Sequence, residues 1–313
     1  MLVDTSHTAL PSAPAATVAF DVICVGALLW DHLGRAAAVL PRGSDVPGSI
    51  VRQPGGVAMN VAVALRRHSL SPLLLSAVGD DRAGEELIDA CRGLGIATHC
   101  VQRVAGVATD RYVAIEDGQG LVAAIADVRC LDAAGRGLLE PLSDGRLGSA
   151  DRPWCGTLIV DGNVGEPVIK TLATAAAFAT VDLRIAAASP GKAHALLPLA
   201  AHPHATFHVN RDEAALLCAQ TFSDAAAAAQ GLIDRGARRV VVTDGAHACC
   251  DAVRGAAPVH ARPEAVAVAR VTGAGDAFMA AHIAAELRGA SREAALAAAL
   301  AAAGRHVASG EGA

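Results

Sequence analysis

FDVICVG, at residues 20–26, is the stretch that most constrains the fold, because it is a short apolar run that ends in glycine. A helical segment follows at Val57–His68, and a second apolar run, PLLLSAV, occupies Pro72–Val78. Short apolar strands that alternate with helices are typical of a parallel sheet, because each crossover helix packs back onto the strands that it joins. The pattern therefore predicts a doubly wound α/β sandwich.

The alternation of strands and helices continues toward the C-terminus. A helix is predicted at Arg82–Arg92, where Gly93 and Gly95 suit a left-handed C-cap, and an Ala-rich helix at Arg292–Ala303 is expected to stop at Gly304. Further strands are predicted at Thr157–Asp161, Thr180–Leu183, Thr206–Val209 and Arg239–Thr243, and further helices at Glu166–Phe178, Arg211–Cys218 and Asp224–Arg235. One main domain is the expectation for a chain of 313 residues.

Two segments, Leu33–Pro54 and Thr109–Val128, break this rhythm. The second reads as a hairpin that turns at Asp117–Gly118. Strands inserted between βα units are well placed to form a small lid over the carboxyl edge of the sheet, where open α/β folds bind ligands. We therefore expect a flexible tail at residues 1–19 and a domain at residues 20–313, with lid strands from about 33–54 and 109–128.

The composition argues against several classes of protein. A net charge of −5, with acidic and basic residues mixed along the chain, gives no basic stripe for a nucleic acid. The apolar residues are dispersed in runs shorter than the roughly 18 positions of a membrane helix. Residues 1–20 carry no secretory signal and the eight cysteines form no CxxC pair, so we expect buried thiols in a reducing cytoplasm.

The segment VTGAGD, at residues 271–276, carries the strongest chemical signal. Its small residues let the backbone turn sharply and expose N–H groups at a helix N-terminus, where unpaired donors and the helix dipole attract a phosphate. The only lysines, Lys170 and Lys192, lie in no Walker A loop, so this would be an anion hole without lysine. Asp276 is placed to accept the proton of an attacking hydroxyl; the alternative is that it only caps the helix.

Polar residues at three other places fit the same chemistry. PGGVAMN, at residues 54–60, again opens a helix with glycines, and Asn60 could donate to and accept from a sugar hydroxyl. Asp31 is expected at the carboxyl edge of the sheet, where it could bind vicinal hydroxyls, although a solvated loop position is the alternative. NRDE, at residues 210–213, follows another strand, and Glu213 could hold a magnesium shell through water.

Together these segments resemble the ribokinase, or PfkB, family of carbohydrate and nucleoside kinases, from Phe20 onward. VTGAGDAF resembles the family's C-terminal signature, PGGVAMNVAVAL its N-terminal glycine region and NRDE its magnesium motif, in the family's order. The resemblance implies a three-layer α/β/α fold with a doubly wound, mostly parallel sheet and a small β lid, and a kinase that uses ATP and Mg²⁺. It implies that Asp276 is the catalytic base beside an anion hole of Gly273, Ala274 and Gly275. It also implies that the sugar is contacted by Asp31, Gly55, Gly56 and Asn60. By the same resemblance, ATP is contacted by Asn210, Thr243, Gly245 and Thr272, and the metal is bound by Glu213.

Within the family, the chain looks most like the pseudouridine kinases. The shared features are the hairpin YVAIEDGQGLVAAIADV, the strand end VDGN at Val160–Asn163 and the NR pair that starts an acidic helix. The hairpin would close over the base and place Tyr112, Ile125 and Asp127 near it, with Asp127 accepting from a pyrimidine N–H. The alternative for Asp127 is a solvated carboxylate at a strand end. The resemblance implies transfer of the γ-phosphate to the ribose 5′-hydroxyl of pseudouridine.

Other readings of the same residues stay open. Ribokinase or another nucleoside or sugar kinase is one alternative, and a non-catalytic nucleotide or sugar sensor is another. Arg270 stands where family members that potassium activates often carry Asp, which leaves monovalent-cation activation open. The expected partners are a small sugar or nucleoside and ATP, with no nucleic acid and no membrane. A homodimer through the lid would bury the apolar strands expected at Arg111–Ile115 and Leu121–Ile125.

Overall fold

The fold is described from a computed structural model, which covers residues 20–188, 193–269 and 271–309. The expected tail at residues 1–19 and Arg270 lie outside the described residues. In chain order the strands are β1 (Val22–Val25), β2 (Leu29–Ala36), β3 (Gly48–Gly55), β4 (Pro72–Leu75), β5 (Ala77–Gly79), β6 (Gln102–Val104), β7 (Arg111–Asp117), β8 (Gly120–Asp127), β9 (Thr157–Asp161), β10 (Asp182–Ala186), β11 (Ala205–Asn210), β12 (Arg239–Thr243), β13 (Cys249–Val253) and β14 (Val259–Ala261). The helices are α1 (Val57–Arg67), α2 (Arg82–Gly93), α3 (Arg129–Ala134), α4 (Glu166–Thr174), α5 (Arg211–Cys218), α6 (Ala225–Asp234), α7 (Ala274–Leu287) and α8 (Arg292–Ser309), with 3₁₀ turns at Gly135–Leu142, Ala176–Phe178 and His194–Ala201.

The main sheet of the described residues has the strand order β14-β13-β12-β11-β10-β9-β1-β4. Its strands from β4 to β12 run parallel, and β13 and β14 add an antiparallel edge. The central strands are apolar and fully buried because helices cover both faces of the sheet, which gives one core on each side. The predicted doubly wound, three-layer α/β/α fold is confirmed.

A second, four-stranded sheet has the order β3-β2-β7-β8 and is called the small sheet below. Strand β2 pairs antiparallel with β3 and parallel with β7, while β7 and β8 form a hairpin around residues 118–119. The small sheet begins at Leu29, so Asp31 lies within a strand of this sheet rather than in a loop after β1.

Among the local expectations that the structure contradicts are one strand and the end of the last helix. The predicted strand at Pro72–Val78 is divided at Ser76, which is buried, donates from Oγ to the Gly26 carbonyl and leaves β5 to pair with β6 instead. The last helix continues through Gly304 to Ser309. A single glycine costs a helix only about 1 kcal/mol, and the flanking alanines and the packing of Leu296 and Ala299 against Phe278 outweigh that cost.

Candidate active site

The turn before α7 presents backbone donors to solvent. Gly273 has φ +84°, a left-handed conformation that glycine adopts without strain, and its carbonyl accepts the first helical bond from the Ala277 N–H at 3.0 Å. The Ala274 N–H donates to the Val271 carbonyl at 3.1 Å. Within the described parts of the chain, the N–H groups of Gly275 and Asp276 have no protein acceptor. The anion hole is expected at Gly273, Ala274 and Gly275. In the structure the Ala274 N–H closes the turn and Gly275 and Asp276 carry the open donors, so the anion hole stays a prediction, now with Gly275 and Asp276 as its donors.

Asp276 lies half-buried in the first turn of α7 and faces α1. The amide Nδ2 of Asn60, on α1, donates to Asp276 Oδ2 at 3.1 Å. The pKa of Asp276 is raised to about 7, chiefly by burial. The Asn60 hydrogen bond lowers it, and the nearby carboxylates of Asp161, Glu213 and Asp31 contribute to the rise. A carboxyl group with a pKa near neutrality suits general base catalysis at neutral pH.

Asp31 lies against the glycine turn that opens α1. A Cβ on Gly55 would lie 2.1 Å from Asp31 Oδ2 and would displace that carboxylate. A Cβ on Gly56 would lie 2.3 Å from the Ala27 carbonyl oxygen, so Gly56 must be glycine. Burial raises the pKa of Asp31 to about 6. The structure thus brings Asp31, Asn60 and Asp276 together where the small sheet meets the first turn of α1.

The small sheet divides the remaining acceptor-side candidates between its two faces. Asp31 is the cross-strand partner of Tyr112, so both side chains lie on one face, which we call the inner face. The neighbouring pair Val113 and Ile125 points the opposite way, to the outer face, and Ile125 is 73% exposed.

Asp127 is also on the outer face, because its cross-strand partner is Arg111. Its carboxylate accepts from Arg129 Nε at 2.7 Å and from Arg129 Nη2 at 2.8 Å. The expectation that Ile125 and Asp127 lie beside Tyr112 is therefore corrected, because the pleat of the hairpin separates them.

The candidates for nucleotide binding lie at the carboxyl ends of β11 and β12. Asn210 and Thr243 are register partners on these strands, and Gly245 follows with φ +58°. Asn210 and Glu213 form a capping box: Asn210 Oδ1 accepts from the Glu213 N–H at 2.8 Å, and the Asn210 N–H donates to Glu213 Oε2 at 2.9 Å. The box starts α5 and holds the Glu213 side chain against the Asn210 N–H.

The residues present fit a magnesium ion that keeps most of its water. Burial raises the pKa of Glu213, and its charge raises that of Asp276, so a cation near this pair would relieve an unfavourable accumulation of negative charge. Across residues 20–188, 193–269 and 271–309, no group of three or more His, Cys, Asp or Glu side chains could enclose a metal. In the usual Mg²⁺ site one or two carboxylates act together with substrate phosphates and water, and Glu213 would be such a carboxylate.

Sequence reasoning missed contacts that are made across long separations. His306, on α8, hydrogen-bonds through Nε2 to the Thr272 carbonyl at 2.9 Å and so supports the turn before α7. Arg211 Nη1 donates to Asp244 Oδ2 at 3.2 Å, which ties the start of α5 to the loop after β12. The motifs NRDE (residues 210–213) and TDG (residues 243–245) are visible in the sequence, but neither indicates that Arg211 and Asp244 form a hydrogen bond.

Comparisons with known proteins agree with this geometry. The chain is 35% identical over 112 residues to the uncharacterized sugar kinase YeiI of Escherichia coli (strain K12), covering 35% of this chain and 31% of that protein. It is 31% identical over 113 residues to the pseudouridine kinase of the same organism, covering 36% of each protein. These alignments span about a third of the length of the two relatives.

A solved structure, Arabidopsis thaliana ribokinase complexed with ribose and ATP, matches 93% of this chain and 93% of its own with a TM-score of 0.73. At 19% identity, the match shows the shared fold. No helix within the described ranges is both long enough and apolar enough to cross a membrane. The family described as pfkB family carbohydrate kinase matches residues 19–312. The chain therefore belongs to the pfkB family of carbohydrate kinases.

Proposed function

We propose that the protein transfers the γ-phosphate of ATP to a hydroxyl group of a sugar or nucleoside. The observation that carries the proposal is the position of Asp276. Its carboxylate lies beside open backbone donors at the N-terminus of α7 and is hydrogen-bonded to Asn60 on the acceptor side. A base and an anion site at one helix terminus are what an in-line phosphoryl transfer requires.

In the proposed reaction, Asp276 accepts the proton of the acceptor hydroxyl as that oxygen forms a bond to the γ-phosphorus. The bond between the γ-phosphorus and the β–γ bridging oxygen breaks, and ADP leaves with the electron pair. The open N–H groups of Gly275 and Asp276 lie where they can stabilise charge on the transferred group. When bound through Glu213 and the phosphates, Mg²⁺ would supply further charge neutralisation.

On the acceptor side, we propose contacts from Asp31, Gly55, Gly56, Asn60 and Tyr112, with the small sheet acting as a lid that excludes water. Water must be excluded because it would otherwise compete for the phosphate. Asp127 pairs with Arg129, so a role in reading the base is not assigned to it. On the other side, Asn210, Thr243, Gly245 and Thr272 would contact ATP.

Pseudouridine is the acceptor that we propose, with phosphorylation at the ribose 5′-hydroxyl. The hairpin β7–β8, the VDGN strand end and the 31% identity to a pseudouridine kinase over 113 residues support it. Ribose or another nucleoside is the alternative acceptor. ADP release should be measured with Mg-ATP and pseudouridine, uridine, ribose, adenosine or fructose 6-phosphate in parallel. Faster release with ribose than with pseudouridine would reject this choice of acceptor.

The same assay tests whether the protein is a kinase at all. A non-catalytic sensor would bind nucleotide without acceptor-dependent ADP release, and that result with every acceptor would reject the proposed activity. The base, the anion site and Glu213 are all retained in one place, which favours catalysis.

The cysteines of the described residues are unpaired, in keeping with the reducing cytoplasm that we propose as the location.

We also propose a homodimer through the outer face of the small sheet. Ile50, Val113, Ile115 and Ile125 lie on this face, and Ile50 is 81% exposed. An apolar sheet face of this kind is costly to leave in water. Light scattering should give twice the chain mass for the wild type and the chain mass for Ile50→Asp, with Val39→Asp, exposed outside the small sheet, as the control. A wild-type monomer would contradict this proposal.

A further inference from the structure

Asp161, at the end of β9, is a buried carboxylate that joins three backbone segments. Its side chain is 0% exposed, so it is closed to solvent. Oδ2 accepts from the N–H groups of Ala27 and Ala58, each at 2.9 Å, and Oδ1 accepts from the Asn163 N–H at 2.8 Å. Ala27 lies in the loop between β1 and β2, and Ala58 in the first turn of α1.

The loop is shaped to admit this carboxylate. Gly26 has φ +150°, and a Cβ there would lie 2.3 Å from Asp161 Cγ, so a side chain at this position would displace the carboxylate. On the other side, Ser76 Oγ donates to the Gly26 carbonyl at 2.5 Å. The start of the loop is therefore held from two directions.

The contacts of Asp161 lead directly to the proposed base. The Asn60 N–H donates to the Gly56 carbonyl at 2.8 Å, in the turn of α1 that Asp161 holds through Ala58. Asn60 Nδ2 in turn donates to Asp276 Oδ2. A shift of the start of α1 would thus move the Asn60 amide relative to Asp276.

We infer that Asp161 is a positioning residue for phosphoryl transfer, which fixes the start of α1 to the β1–β2 loop and thereby sets Asn60 against Asp276. The inference rests on the proposed kinase function. Asp161 acts through the backbone donors that it holds, and its charge also raises the pKa of Asp276. The cost of losing it should fall on acceptor binding and turnover, because the Gly55–Gly56 turn and Asn60 belong to the acceptor side.

The principal test is Asp161→Asn, which keeps the size of the side chain but turns an NH₂ group toward at least one of the N–H donors. We expect KM for the acceptor to rise roughly tenfold, since a buried donor loses its acceptor, while KM for ATP changes by less than about twofold. Asp251→Asn is the matched control, because Asp251 is also 0% exposed but lies on β13 and accepts from Arg239 and Arg292. It should lower the melting temperature without the selective rise in acceptor KM.

A double-mutant cycle with Asn60→Ala tests the route of the effect. If Asp161 acts through Asn60, the double variant should have nearly the same acceptor KM as the more impaired single variant. A KM equal to the product of the two single effects would overturn the inference. If Asp161→Asn does not fold, Gly26→Ala should reproduce the selective rise in acceptor KM, because its Cβ would displace the same carboxylate.

Hydrogen exchange provides a readout that does not need activity. The backbone amides of residues 26–28 and 57–60 should exchange faster in Asp161→Asn than in the wild type, with β12 unchanged. Unchanged exchange in both segments would overturn the inference whatever the protein catalyses. A wild type without acceptor-dependent ADP release would instead reject the proposed function, while the exchange result would still decide whether Asp161 holds these segments.

Discussion

Replacement of Asp276 by Asn is the most direct perturbation of the proposed chemistry. The two side chains have nearly the same shape, and an Asn carbonyl oxygen could still accept from Asn60 Nδ2, which now donates to Asp276 over 3.1 Å. What disappears is the ability to take a proton and the negative charge beside the incoming γ-phosphate. Acceptor and nucleotide binding should therefore be kept, while the chemical step loses its base.

The magnitude follows from the protonation of the wild-type group. With a pKa raised to about 7 by burial and by neighbouring carboxylates, about half of Asp276 is ionised at pH 7 and about nine tenths at pH 8. Removing a general base costs roughly 10²–10⁴-fold in turnover. We expect Asp276→Asn to lose this much of kcat with less than about a threefold change in KM. In the wild type, kcat/KM should fall as pH falls through about 7, whereas the residual rate of the variant should lack this dependence.

The assay is ADP release under saturating Mg-ATP, followed from pH 5.5 to pH 8.5, with the melting temperature of each variant as a check of folding. Asp151→Asn, an exposed change outside the site, is the control and should retain the wild-type rate. Near-normal turnover in Asp276→Asn would show that another group removes the proton. A loss of rate that comes only from a higher KM would assign Asp276 to binding instead.

Three further predictions concern the metal, the core and the last helix. Glu213→Gln keeps an oxygen for the Asn210 N–H but loses the charge, so the Mg²⁺ concentration for half-maximal velocity should rise several-fold, and an unchanged metal requirement would contradict the role of Glu213. Burial lowers the pKa of His282 from 6.5 to about 4, so the unfolded chain binds a proton at this residue at a higher pH than the folded protein does. About 3 kcal/mol of stability that is present above pH 6.5 should therefore be lost as pH falls toward 4. His282→Phe should reduce this dependence of the unfolding free energy on pH, as measured by urea unfolding. Asp276 contributes a pH dependence of stability with the opposite sign, since its pKa is raised. The unfolding free energy of His282→Phe must therefore be compared with that of the wild type at each pH. Gly304→Ala, in a helical position where a Cβ would meet only Val266 at 3.8 Å, should raise the unfolding free energy by about 0.5–1 kcal/mol without altering activity, and a loss of stability would contradict the helical assignment.

The parts of the site that could be predicted from sequence are contiguous motifs. The turn at residues 271–276 contains its own glycine conformation, its donors and its carboxylate, so six neighbouring residues indicate the chemistry. The start of α5 is similar, because Asn210 and Glu213 cap each other within one turn. Strands β9 and β12 were predicted to the residue because their apolar runs have sharp polar or glycine-rich ends.

The parts that could not be predicted depend on register or on long-range contacts. The hairpin of β7 and β8 was expected, but only its register with β2 decides that Tyr112 shares a face with Asp31 while Ile125 and Asp127 do not. Asp161 is separated from Ala27 by 134 positions and from Ala58 by 103. Its partners are backbone N–H groups, which every residue except proline possesses, so no side-chain pattern marks them.

The far end of α7 bears on whether the open donors at its start are already oriented for the proposed anion site. Glu286, in the last turn, accepts from Arg184 Nη1 at 2.5 Å and pairs with Arg239 Nη2 at 2.6 Å, on strands β10 and β12. The helix that begins beside Asp276 is therefore anchored to the main sheet by ion pairs about three turns away, and His306 supports its first turn through the Thr272 carbonyl. Backbone donors stabilise a transferred phosphate effectively only when they are already oriented and need no reorganisation. Because both ends of α7 are fixed by groups that lie outside the reacting centre, the orientation of its N–H groups is determined by the fold before any substrate binds.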